Sequence, residues 1–241
     1  MERRGPKLAV LIDADNTSAK IADGIFDEVA RLGEASLRRI YGDFSDKRLK
    51  GWAEVLARHA IVPHQQFAYT TGKNASDIAL VIDAMDLMHS GRFDGFCLVS
   101  SDSDFTRLAA RLREQGVSVY GIGQQKTPES FRQACSRFIF TENLGAEIQG
   151  EVDPKTKRLR PDQAIPLIEK AIAELEEDAE GWYPLGTLGT RLGNLSPEFD
   201  TRTYGCAKLS DLVAATSRFE IDRKGPRGPR MRVKPTGRRK S

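Results

Sequence analysis

Leu8-Ala9-Val10-Leu11-Ile12-Asp13-Ala14-Asp15-Asn16-Thr17 runs five apolar residues straight into a cluster of acids. A short run that is apolar at every position predicts a strand buried on both faces, inside a parallel sheet. Open α/β sheets place their ligands at the carboxyl ends of such strands. Asp13 therefore stands where a ligand is expected, and a metal ion is the first candidate.

Working outward, residues 7–143 alternate apolar runs with helical patterns. Residues 19–32 carry Ile21, Ile25, Val29 and Leu32 at helical spacing, and Gly33 is a plausible helix end. Strands are expected at 35–41, 60–67, 95–100, 117–122 and 137–140. Pro63 places the strand at 60–67 on a sheet edge. Helices are expected at 47–59, at 78–88 with Ser76 as N-cap, from Ser101 to Gln115, and at 129–134 after Pro128. Alternating strands and helices imply βαβ units, right-handed crossovers and a mostly parallel sheet. The expected fold class is α/β, a Rossmann-like three-layer domain at residues 1–145.

Residues 146–160 are polar and read as a linker. From residue 161 to 235 the pattern changes to three helices, at 163–175, 182–192 and 208–215. Two strands, 219–222 and 231–233, flank a Gly-Pro-Arg-Gly-Pro turn. Three helices and a β-ribbon describe a small winged helix-turn-helix, followed by a basic tail at 236–241.

The 241 residues suffice for one full core and a smaller domain. Hydrophobic content of 39% and charged content of 29% are ordinary for a globular protein. No apolar run reaches the ~20 residues of a membrane helix, and no secretory leader is read at the amino end. Cys97, Cys135 and Cys206 lack metal-ligand spacing, so a reducing cytoplasm is expected. The net charge is only +3, but beyond Asp222 nine Lys and Arg residues follow without another acid. A basic end on a balanced chain points to a polyanion partner.

Carboxylates recur at predicted strand ends and helix starts: Asp13 and Asp15, then Asp77, then Asp102 and Asp104. In a parallel sheet these positions share one edge. Carboxylates that close repel one another, and a divalent cation relieves the repulsion. Hard oxygen donors suit Mg²⁺ or Mn²⁺, which can activate water against a phosphodiester. Taken singly, Asp104 or Asp15 reads as a helix cap or a partner for the helix dipole. Lys73 and Asn74, in the loop before Asp77, are candidate phosphate contacts. Asp83 reads as part of a solvated face, and Trp182 as core.

Leu11-Ile12-Asp13-Ala14-Asp15-Asn16, Lys73-x-x-x-Asp77 and Val99-Ser100-Ser101-Asp102-Ser103-Asp104-Phe105 resemble the NYN domain, a PIN-like group that includes LabA-like bacterial proteins. The resemblance covers residues 7–143. It implies a PIN-like fold and metal-dependent RNA hydrolysis, with Asp13, Asp77, Asp102 and Asp104 as catalytic metal ligands and Asn16 holding a ligand or water. Ser101 and the Lys73–Asp77 spacing depart from the family pattern. Gly181-Trp182-Tyr183-Pro184-Leu185, Phe199-Asp200-x-Arg202-x-Tyr204-Gly205 and Lys208-Leu209-Ser210-Asp211-Leu212 resemble the OST-HTH or LOTUS domain. That resemblance implies binding of RNA or of a protein partner, with Arg223, Lys224, Arg227, Arg230 and Arg232 as a basic wing.

The expected function is thus a metal-dependent RNA endonuclease or RNA-processing hydrolase, with RNA as partner and no membrane. A homodimer is left open. Two alternatives remain. Asp13-x-Asp15-x-Thr17 also fits a haloacid dehalogenase-like phosphatase with Asp13 as nucleophile, and the fold could serve a non-catalytic RNA-binding adaptor.

Overall fold

The computed structural model describes residues 5–67, 75–144, 158–226 and 228–234. The chain divides into two compact units, Met1–Val152 and Asp153–Ser241. The first is built on a six-stranded sheet of order β3-β2-β1-β4-β5-β6, and all its pairings are parallel. The strands are β1 (Lys7–Asp13), β2 (Glu34–Gly42), β3 (Val62–Gln65), β4 (Gly95–Val99), β5 (Ser118–Gly123) and β6 (Arg137–Phe140).

Strand β1 shows why the sheet needs a layer on each side. Ala9 and Leu11 pack into one core, with Leu80, Ala84 and Leu87 of α3 (Ala75–His89) and Leu108 and Leu112 of α4 (Thr106–Glu114). Leu8, Val10 and Ile12 pack into another, with Ile25 and Val29 of α1 (Ala22–Leu32) and Trp52 of α2 (Lys50–Leu56). Successive side chains of a strand point to opposite faces, so a strand apolar throughout must be covered twice. Asp13 continues the parity of Ala9 and Leu11 and so lies on the α3–α4 face.

Strand order reverses between β1 and β4: the chain runs outward through β2 and β3, then returns to pair β4 with β1. That crossing is the topological switch point, where open α/β sheets leave a crevice beyond the strand ends. β3 is an edge strand, as Pro63 requires, and is only four residues long.

Some expected boundaries move. The helix expected at 47–59 is a 3-10 turn, Lys47–Leu49, followed by α2, which ends at Leu56. Ala60 adopts φ 50°, a left-handed conformation that turns the chain into β3. Ser76 is not an N-cap, because α3 already includes Ala75.

The second unit holds α6 (Ile165–Ile172), α7 (Leu185–Leu195) and α8 (Leu209–Ala215), beside a three-stranded antiparallel sheet of order β7-β9-β8. α5 (Glu129–Ala134) belongs to the first unit. β7 (Tyr183–Pro184) joins β8 (Phe219–Asp222) and β9 (Arg230–Val233) as a third strand that the sequence pattern does not show. Ile168, Leu188, Leu192, Leu212, Phe219 and Met231 form the core of this winged helix. Among the described residues no helix is long and apolar enough to cross a membrane.

Candidate active site

The site is built from the loops that leave β1, β4 and β5 and from the first turn of α3. Asp13 ends β1 and is 1% exposed. Its Oδ1 accepts the backbone N–H groups of Asp15 (3.1 Å) and Asn16 (3.3 Å). Its Oδ2 accepts the Asn16 side-chain amide (2.9 Å) and the Ser100 hydroxyl (2.6 Å). A carboxylate offers about four lone-pair sites, and here four donors occupy them. Burial pushes the Asp13 carboxyl above the usual range, and the Ser100 and Asn16 hydrogen bonds pull it back.

Ser100 connects the acids. Its hydroxyl donates to Asp13 and accepts the N–H of Asp102 at 3.0 Å. Asp102 in turn caps the 3-10 turn Ser103–Phe105, its Oδ1 accepting from the Asp104 N–H at 2.9 Å. Asp102 is therefore an N-cap, and only one of its oxygens is used that way. Asp104 is exposed on the same turn.

Asp77 enters from the first turn of α3. The preceding residue, Ser76, reaches Asp15 Oδ2 at 3.4 Å and so brings the helix start to the β1 loop. Asp77 itself has no hydrogen-bond or ion-pair partner among the described residues. Its carboxyl is raised to about 6, first by burial and then by the fields of Asp13, Asp102, Asp104 and Asp15. Four carboxylates thus act on a fifth that has no counter-charge among the described residues.

Two glycines let the loops close. A Cβ at Gly42, the end of β2, would lie 2.9 Å from the Ala14 Cβ and 2.8 Å from Leu49 Cδ1. One at Gly123, the end of β5, would lie 2.5 Å from the Ser100 carbonyl oxygen. Side chains at either position would push the acid-bearing loops outward. The β5 loop is tied in as well, Gln124 N–H donating to Ser101 Oγ at 2.9 Å.

Asp83 departs from the solvated role expected for it: it accepts hydrogen bonds from Tyr41 Oη and Arg39 and holds α3 against β2. Lys73 and Asn74 lie outside the described residues, as does Arg227.

In the winged helix the expected basic surface is largely neutralised from within. Arg223 pairs with Asp211 at 2.8 Å and Arg232 with Glu220 at 2.8 Å. Arg230 reaches Asp222 (3.0 Å), Asp178 (3.1 Å) and Glu180 (3.1 Å). Arg230 and Arg232 also lie over the Trp182 ring, 4.8 and 4.5 Å from its centroid. Trp182 is thus partly exposed beneath two guanidinium groups, not core as expected. Of the expected wing contacts that are described, only Lys224 has no carboxylate partner among the described residues.

Among the described residues no group of three His, Cys, Asp or Glu side chains is close enough to hold an ion as it stands. The donor chemistry nevertheless fits Mg²⁺, which keeps several waters and is commonly held by one or two carboxylates without an all-protein cage.

A family model of the NYN domain matches residues 7–144, and one of the OST-HTH/LOTUS domain matches residues 160–231. No curated protein matches the chain. Among solved structures, the chain is similar to a protein of unknown function from Vibrio parahaemolyticus RIMD 2210633. That match has 19% identity over 57% of this chain and 94% of the other, with a TM-score of 0.46. A second similarity is to MurG of Acinetobacter baumannii, at 10% identity over 88% of this chain and 70% of the other, with a TM-score of 0.38.

Proposed function

Because the chain belongs to the NYN domain family across residues 7–144, we propose that it is a divalent-metal-dependent ribonuclease, an endonuclease or RNA-processing hydrolase. NYN domains are PIN-like nucleases, and the OST-HTH/LOTUS domain supports an RNA-associated role. In this reading the winged helix brings RNA to the acids. The observation that carries it is Asp77: partly buried, unpaired among the described residues and raised to about 6 by burial and the carboxylates around it.

Asp77 and Asp102 would hold Mg²⁺ or Mn²⁺, with Asp104 beside them and Asp13 behind. Bound there, the ion would lower the pKa of a water and offset charge gathering on a phosphodiester. Asp13, at 1% exposure, orders the site from beneath. It clamps Asn16 and the β1 loop and, through Ser100, fixes the loop that presents Asp102. Joining Asp13 to the ion would require release of one of its four donors, and the Asn16 amide, on an exposed residue, is the one able to swing away. The same saturation weighs against the phosphatase alternative, since a nucleophilic Asp needs an accessible oxygen.

The deciding experiment incubates the purified full chain with single-stranded and structured RNAs, with Mg²⁺, Mn²⁺ or chelator. Cleavage that needs the ion and falls on the order of 10²–10³-fold in Asp77→Asn and Asp102→Asn supports the reading. Binding without cleavage across those substrates would leave the adaptor role instead.

A further inference from the structure

Beside the acids lies a cavity of about 500 Å³ whose lining includes Asp15 and Asn16 together with Lys20, Arg48, Gln124 and Lys126. Its apolar lining includes Leu49 and Trp52, and the Trp52 indole N–H is already committed to the Thr17 carbonyl at 3.1 Å. Arg48 is shared with Asp46 at 2.8 Å. The Lys20 and Lys126 ammonium groups have no carboxylate partner among the described residues, and both residues are exposed. They arrive from separate crossovers, Lys20 after β1 and Lys126 after β5. The loop bearing Lys126 is pinned by the Gln124–Ser101 bond and by Gln125 N–H to the Glu142 carboxylate at 2.9 Å.

A cavity lined by lysines that have no carboxylate partner among the described residues, and by Asp15 and Asn16 of the loop that follows Asp13, has the polarity of a polyanion path: one phosphate neutralised by lysines, its neighbour presented to the carboxylates. Its volume falls in the range of small-ligand sites and suits a single nucleotide. A base held in a helix could not enter, because pairing and stacking keep it in the duplex. We propose that this cavity is a nucleotide subsite that takes one unpaired nucleotide of single-stranded RNA next to the reacting phosphate, with its phosphate on Lys20 and Lys126. The proposal rests on the ribonuclease reading and adds to it the cavity and the two lysines that would hold the nucleotide beside the reacting phosphate.

The test uses the full chain carrying Asp77→Asn, so that RNA stays intact, and a short single strand containing 4-thiouridine. Photocrosslinked peptides are mapped by mass spectrometry, and anisotropy is followed over a salt series. The expected result is crosslinking within residues 14–20, 48–52 or 124–126. Adding Lys20→Gln and Lys126→Gln should abolish those crosslinks while leaving those on residues 160–231. The log–log salt slope should also become shallower by about 0.7, for the one phosphate that the two lysines share. A pre-annealed duplex should not crosslink at the cavity. A thermal melt matching that of the Asp77→Asn parent confirms that the lysine variants are folded. Crosslinks confined to residues 160–231, an unaltered pattern in the lysine variant, or equal crosslinking by duplex would each overturn the subsite. The two readings fail separately: wild type that cleaves RNA without cavity crosslinks loses only the subsite, and crosslinks without cleavage lose only the catalysis.

Discussion

The Ser100 hydroxyl donates to Asp13 Oδ2 at 2.6 Å, joining residues 87 positions apart. This bond is the junction between the β1 and β4 loops and connects the buried acid to the backbone of Asp102. Ser100→Ala removes one of four donors from a buried carboxylate, which costs about 1–3 kcal/mol. It should also raise the Asp13 carboxyl further. A group raised on folding contributes stability that is present below its unfolded pKa and lost as pH rises. The variant should therefore lose stability more steeply than wild type between acid and neutral pH, as read by denaturant titration at several pH values.

Asp77→Asn should stabilise the ion-free protein at neutral pH while impairing its activity. The folded carboxyl sits at about 6 against an ordinary value of 3.8. Its contribution is thus full below 3.8 and lost as pH rises through about 6. Allowing for solvent screening, the gain at pH 7.5 is about 1 kcal/mol, or roughly 2–4 °C in melting temperature. Below pH 4 the two melting curves should converge.

Cation binding should compete with the same proton. Calorimetric titration with Mn²⁺ should show affinity falling about tenfold per pH unit below 6, the behaviour of one proton displaced per ion. Asp77→Asn and Asp102→Asn should remove the site.

Gly123→Ala places a methyl 2.5 Å from the Ser100 carbonyl oxygen. The backbone there must shift, at a cost of about 1–3 kcal/mol. Because the displaced loop carries Ser100, Ser101 and Asp102, cleavage should fall by more than the fraction unfolded explains. Comparing activity with the folded fraction by circular dichroism checks this.

Arg230→Gln should leave the salt dependence of RNA binding nearly unchanged. Arg230 is engaged by Asp222, Asp178, Glu180 and Trp182. A free phosphate-binding arginine would instead make the slope shallower by about 0.7 on single strands when removed. The variant should lower the melting temperature of the C-terminal unit instead.

The sequence by itself determined the three-layer fold, because β1 is apolar at every position and a strand of that kind must be covered on both faces. It also placed the acids, since residues that end parallel strands share one edge. It determined β3 as an edge through Pro63. It could not show β7, because two residues, one of them Pro184, carry no period. Nor could it show that Trp182 lies beneath Arg230 and Arg232, or that the wing arginines are matched to acids, since those pairings depend on the β8–β9 register and on how α8 and the loop before β7 pack beside it. The cavity beside Lys20 and Lys126 was equally invisible, its walls coming from crossovers more than a hundred residues apart. Only the tertiary structure decided what Asp13 does among the acids. Spacing marks a carboxylate at a strand end, but burial and four converging donors make it the anchor of the acid cluster, in which Asp77 has no partner among the described residues.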